Sequence, residues 1–158
     1  FGSFTLYILI LIFVFSITVT NIDSLRIVHN ISYSVLHFIV IYLGLYYYRK
    51  TLYLIFFLSG INLDLLLLNN EIGPHLLTFM LMLLFFNFTK KLIQNFDSRK
   101  IFFIILIYQA TMIFCEKILI SFLYNYDFHL YDFLQIIFIS LLISYPLFYI
   151  FSKIDELK

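Results

Sequence analysis

Three ionisable residues, Asp64, Glu116 and Lys117, stand inside long apolar runs of this chain. A charge at membrane depth is costly and is normally paired or turned towards water. Such residues therefore mark helix contacts, ion paths or binding sites. Asp64 belongs to the stretch Ser59–His75, SGINLDLLLLNNEIGPH, in which a leucine run is broken by Gly73-Pro74. Gly60 lies four residues before Asp64 and shares its helical face. A small residue there admits another helix at close range, so this face is expected to point into protein. Ser59 and Asn62 flank it with further hydrogen-bonding groups. The four histidines, His29, His37, His75 and His129, are scattered along the chain, a poor pattern for a metal site. The single Cys115 excludes an internal disulfide and a cysteine metal site, and reads as a small buried apolar residue. Phosphate-binding glycine loops, nucleophile elbows and His-Glu-x-x-His are absent from the sequence. No catalytic, cofactor-binding or metal-binding residue is expected, and no enzyme.

The elements that hold these residues follow from composition. The chain is 63% hydrophobic and 12% charged, with a mean hydropathy of +1.02. Soluble domains are about half apolar and about a quarter charged. A spanning helix needs about 20 mostly apolar residues. Six segments meet or approach that length: 4–20, 31–48, 51–68, 75–93, 100–124 and 131–152. The expectation is all-α, a polytopic bundle of six transmembrane helices in a single integral membrane domain over residues 1–158. The first run lacks a basic leader and a small-residue cleavage site, so it reads as a span rather than a cleaved signal. Arg49, Lys50, Lys90, Lys91, Arg99, Lys100, Lys153 and Lys158 make eight of the ten basic residues fall on the side of both termini. The opposite side has Arg26, and Lys117 lies within the fifth segment. That asymmetry predicts cytoplasmic termini. The net charge of +1 gives no reason to expect a nucleic-acid partner; membrane lipids surround the chain instead.

Asp64 lies about 20 Å up the third segment, and Glu116 and Lys117 about 23 Å up the fifth, at a rise of 1.5 Å per residue. All three charges thus share one depth in the outer half. Glu116 and Lys117 are adjacent and point apart, and Asp64 sits near a helix C-terminus, where an anion is disfavoured. Asp64 therefore needs a partner. Either Lys117 pairs with it, or a small polar cluster forms with Glu116 and His75, or Asp64 and Lys117 each reach the interface separately. Pro146, in SYPLFYIF, is expected to kink the sixth helix.

The run from Gly44 to Leu92 resembles the MreD family of bacterial rod shape-determining membrane proteins. It has a span ending in a basic turn (LGLYYYRK) and a span with glycine and aspartate (FFLSGINLDLLLL). A glycine-containing turn (NNEIGPH) and a span ending in basic residues (LLTFMLMLLFFNFTKKL) follow. Gly60-x-x-x-Asp64, and Gly73 followed by His75, carry the match most closely. The last span, with its proline and basic tail, is similar to the family's C-terminal segment. The turn after Asp64 is longer than the family pattern, and the second span lacks a proline.

The resemblance implies a fold similar to the substrate-binding subunits of energy-coupling-factor (ECF) transporters. It implies a non-enzymatic scaffold of the cell-elongation complex for peptidoglycan synthesis, in the bacterial inner membrane. The implied partners are an MreC-like single-span protein and, through it, an MreB-like filament, a RodA-like glycosyltransferase and an elongation transpeptidase. Gly60, Asp64, Gly73, His75, Glu116, Lys117 and Pro146 are then the candidate residues for packing or partner contact. Two alternatives stand beside this: a solute-binding subunit of an ECF-type transporter, and a small subunit of a respiratory membrane complex.

Overall fold

The apolar runs fold into six helices: α1 (Ser3–Val19), α2 (Arg26–Tyr46), α3 (Lys50–Leu67), α4 (Pro74–Ile93), α5 (Ser98–Tyr124) and α6 (Leu130–Glu156). These come from a computed structural model, which describes residues 2–19, 26–68, 72–93 and 95–156. Five helices, α2 to α6, are long and apolar enough to cross a membrane, and α1, with 17 residues, is a shorter apolar helix. The six expected segments correspond one to one with these helices.

Local chemistry accounts for the helix ends. α4 begins at Pro74, whose fixed φ suits the first helical position and whose missing N–H is not needed there. Lys90 and Lys91 in its last turn favour the negative end of the helix dipole. α5 stops at Asn125, which takes the left-handed conformation (φ 55°, ψ 30°) that asparagine tolerates. α2 starts five residues earlier than the apolar run, because residues 26–30, in which Arg26, His29 and Asn30 are polar, are helical as well. α6 continues unbroken through Pro146, which is exposed, and extends to Glu156. The Asn69–Glu71 part of the turn after α3 lies outside the described residues.

The helices alternate in direction. At the end that carries the termini, Tyr7 of α1 and Tyr42 of α2 donate hydrogen bonds to the Asp155 carboxylate of α6, at 2.9 and 2.6 Å. Tyr47 joins the same carboxylate at 2.5 Å. The Arg49 guanidinium lies 4.8 Å from the Phe4 ring, and the Lys90 amine 4.0 Å from the Tyr48 ring. At the far end, Tyr124 of α5 donates to the Ile72 carbonyl that precedes α4.

α2 is the central post and contacts each of the other five helices. Its segment Leu36–Leu45 is buried on every side, as suits a helix apolar around most of its circumference. The outer helices invert the soluble pattern. Leu54, Phe88, Phe103 and Phe122 are exposed, whereas Ser34, His37, Gln109, Glu116, Ser140 and Ser144 are buried. Large apolar side chains outside and hydrogen-bonded polar ones inside fit a hydrocarbon surround. Gln109 of α5 donates to the Ser34 carbonyl of α2 at 2.9 Å and accepts from the Ser144 hydroxyl of α6 at 2.7 Å. Ser140 donates to the Ser34 hydroxyl at 2.9 Å. This group ties α2, α5 and α6 together near mid-bundle.

Candidate functional site

Asp64 closes the corner between α3 and α4. α4 has Gly73 and Pro74 where a capping side chain would stand, so its first N–H groups have no local acceptor. Asp64 reaches across from α3 and supplies the acceptors. Its Oδ2 accepts from the backbone N–H of Gly73 at 2.9 Å and of Leu76 at 3.1 Å. Its Oδ1 accepts from the backbone N–H of His75 at 2.9 Å and lies 2.8 Å from His75 Nδ1. The positive end of the α4 dipole thus faces a fully buried carboxylate. Gly73 has φ +152°, a conformation that side chains strain.

Gly60 makes this reach possible. A Cβ on Gly60 would lie 2.7 Å from the Leu76 Cα and 3.1 Å from the Leu76 nitrogen, which leaves room only for glycine. Gly60, Asp64, Gly73 and His75, chosen from sequence as candidates, therefore form one tight α3–α4 contact. Among the described residues the side chain that meets the Asp64 carboxylate is His75, not Lys117. Equal depth along two helices was not sufficient to pair them, since depth says nothing of where around the bundle each helix stands. The negative end of α3, which disfavours Asp64, is opposed by the positive end of α4.

From His75 a chain of buried polar side chains runs inward. His75 Nε2 lies 3.3 Å from the Tyr33 hydroxyl of α2. Tyr33 donates a hydrogen bond to Glu116 Oε2 of α5. The same oxygen lies 2.8 Å from His37 Nε2, and His37 Nδ1 lies 2.8 Å from the Tyr33 carbonyl. Asp64, His37 and Glu116 are fully buried; His75 and Tyr33 are 2% and 4% exposed. Among the described residues, Glu116 Oε1 is buried without a hydrogen-bond partner. Of the cluster expected from Asp64, Lys117, Glu116 and His75, the structure joins Asp64, His75 and Glu116, through Tyr33 and His37, without Lys117.

Lys117 stands elsewhere, in the wall of a cleft of about 530 Å³ at the far end. Asn30, Tyr33 and His75 line its inner part, and Asp127 and Asp132 belong to its α5–α6 side. His29 and His129 join them, so three histidines scattered in sequence meet at one opening. His29 Nδ1 lies 3.1 Å from the Thr18 carbonyl, which links α2 to α1. Pro146 takes no part in this site.

Sequence reasoning did not single out Tyr33, or His37 as a site residue. Their signal was present: the two are four residues apart and share one face of the most buried helix. It also missed the tyrosine cage around Asp155, which follows from three tyrosines and one acid at the same end. Comparison with protein-family models, with curated proteins and with solved structures gives no match.

Proposed function

We propose that this chain is a non-enzymatic membrane scaffold of the bacterial cell-elongation complex, as its resemblance to MreD implies. One observation carries the reading. The residues that bear the resemblance, Gly60, Asp64, Gly73 and His75, spend their polar atoms and their lack of bulk on joining α3 to α4. A motif used up in helix contact serves shape. Among the described residues, its carboxylate is held by the first N–H groups of α4 rather than presented to a substrate.

The broad apolar faces of α3, α4 and α5, with Leu54, Phe85, Phe88 and Phe103 exposed, offer surface to lipid and to the single span of an MreC-like partner. The basic residues at the end with the termini support a cytoplasmic placement of that end, with the cleft outside. Through the single-span partner the scaffold acts with an MreB-like filament, a RodA-like glycosyltransferase and the elongation transpeptidase. Co-purification from the native membrane tests this. The full chain should bring down the single-span coiled-coil protein, and its recovery without any elongation component contradicts the proposal.

The cleft favours a second reading, a solute-binding subunit of the ECF type. Its volume of about 530 Å³ suits a small polar molecule. Under that reading, loss of the chain lowers uptake of one solute and leaves cell shape unchanged.

A further inference from the structure

The chain Asp64–His75–Tyr33–Glu116–His37 has a definite proton count. Asp64 accepts three backbone N–H groups, so it is a carboxylate, and His75 Nδ1 must carry a proton to face it. His37 Nδ1 faces a carbonyl and must also carry one. One proton must then lie between His37 Nε2 and Glu116 Oε2. Tyr33 has one hydroxyl hydrogen and two neighbours, His75 Nε2 and Glu116 Oε2. Both contacts are hydrogen bonds only if one more proton is present. With Tyr33 donating to Glu116, that proton sits on His75 Nε2. With Tyr33 donating to His75, it sits on Glu116.

Every fully bonded arrangement has the same total: two carboxylates and two imidazoles hold two protons beyond the neutral imidazoles, and the net charge is zero. A neutral set is the form that burial favours. Removing one proton leaves one contact without a hydrogen. Glu116 Oε1, buried and without a partner among the described residues, adds an unused acceptor at the inner carboxylate.

We propose that this chain is a proton-binding site, open to water at His75 and Tyr33 on the floor of the cleft and closed at His37. Histidine and acid chains of this kind carry protons in membrane proteins. A proton from the cleft binds His75 Nε2. It passes to the Tyr33 oxygen as Tyr33 gives its own hydrogen to Glu116 Oε2. His75 returns to neutral, Glu116 gains one proton, and no atom or charge is left over. On its inner side His37 meets the Phe79 ring, 5.9 Å away, and no hydrogen bond among the described residues joins the site to the Ser34–Gln109–Ser144 group.

Its own members come from α2, α3, α4 and α5. It is further faced by His29 of α2, Cys115 and Lys117 of α5, Asp132 of α6, and Tyr126, Asp127 and His129 of the connection between α5 and α6. Because its members span four helices, the proton joins α2 to the α3–α4 corner and to α5. The inference stands apart from the scaffold reading, since it concerns binding and not partners.

The test is nitrogen NMR of the full chain labelled at histidine, in lipid nanodiscs across a pH series. His37 and His75 should change together in the native chain, as sites coupled by about tenfold or more in proton concentration do. Tyr33→Phe, which keeps the ring and removes the relay, should separate their midpoints by about that factor. Glu116→Gln should abolish the imidazolium signal of His37. Independent titration of His37 and His75 in the native chain overturns the proposal, whatever the variants do. So does an unchanged pattern in a folded Tyr33→Phe chain.

Discussion

Replacing Asp64 by asparagine tests the α3–α4 corner with almost no change of shape. In the native chain each carboxylate oxygen accepts two N–H groups: Gly73 and Leu76 on Oδ2, the His75 backbone and ring on Oδ1. An asparagine keeps one such oxygen. Either way round, its NH2 group opposes two N–H donors. Each unsatisfied buried donor costs about 1–3 kcal/mol. Asp64→Asn, with two such donors opposed, should therefore lose about 2–6 kcal/mol, roughly one to four decades in the folding equilibrium. The chain contains no tryptophan, so unfolding in mixed micelles is best followed by circular dichroism. Gly60→Ala should act on the same contact, because its Cβ would meet the Leu76 backbone at 2.7 Å and push α4 away. The double variant should then lose clearly less than the sum of the two. A loss below about 0.5 kcal/mol for Asp64→Asn, or strict additivity with Gly60→Ala, refutes the reasoning.

Gly73→Ala should cost about 1–3 kcal/mol in the same assay, because Gly73 adopts φ +152°; Gly2→Ala, with open space around its Cβ, should be silent. Gly44→Ala would place a Cβ 2.2 Å from the Phe86 ring, an overpacking of about 1–3 kcal/mol, and Phe86→Leu added to it should recover part of the loss. Gln109→Leu should cost about 1–3 kcal/mol, since the Ser34 carbonyl and the Ser144 hydroxyl lose a partner in the core. Asp155→Asn should loosen the end with the termini, read as faster amide exchange in α1, because the bonds from Tyr7, Tyr42 and Tyr47 lose their charged acceptor.

The helices were legible because hydrocarbon allows little else. Of the helices around the signals Arg49-Lys50, Gly73-Pro74 and Asn125, α3 begins at Lys50, α4 begins at Pro74 and α5 ends at Tyr124, beside Asn125. The start of α2 was not, since His29 and Asn30 look like a loop until the cleft they face is known. Gly60 and Asp64 were legible as an inward face through their spacing of four. The partner of Asp64 was harder. Depth ranks residues along each helix, whereas contact also depends on the angle around the bundle, and that angle comes from packing. A capping argument reaches the answer: Gly73-Pro74 opens α4 without a side chain to accept its N–H groups, so an acid must come from elsewhere. Glu116 and Lys117 were expected at one depth. They diverge because neighbours on a helix point about 100° apart, one into the core and one into the cleft wall.

The scaffold reading meets its most direct test in the organism that makes the chain. The chain is depleted, and either the native form or Asp64→Asn is supplied in its place, with cell width and length measured by microscopy. Depletion should turn rods into widened, rounded cells with solute uptake unchanged. The native form should restore rods, and Asp64→Asn, made at equal level, should restore them poorly. Cells that stay rod-shaped throughout depletion contradict the account.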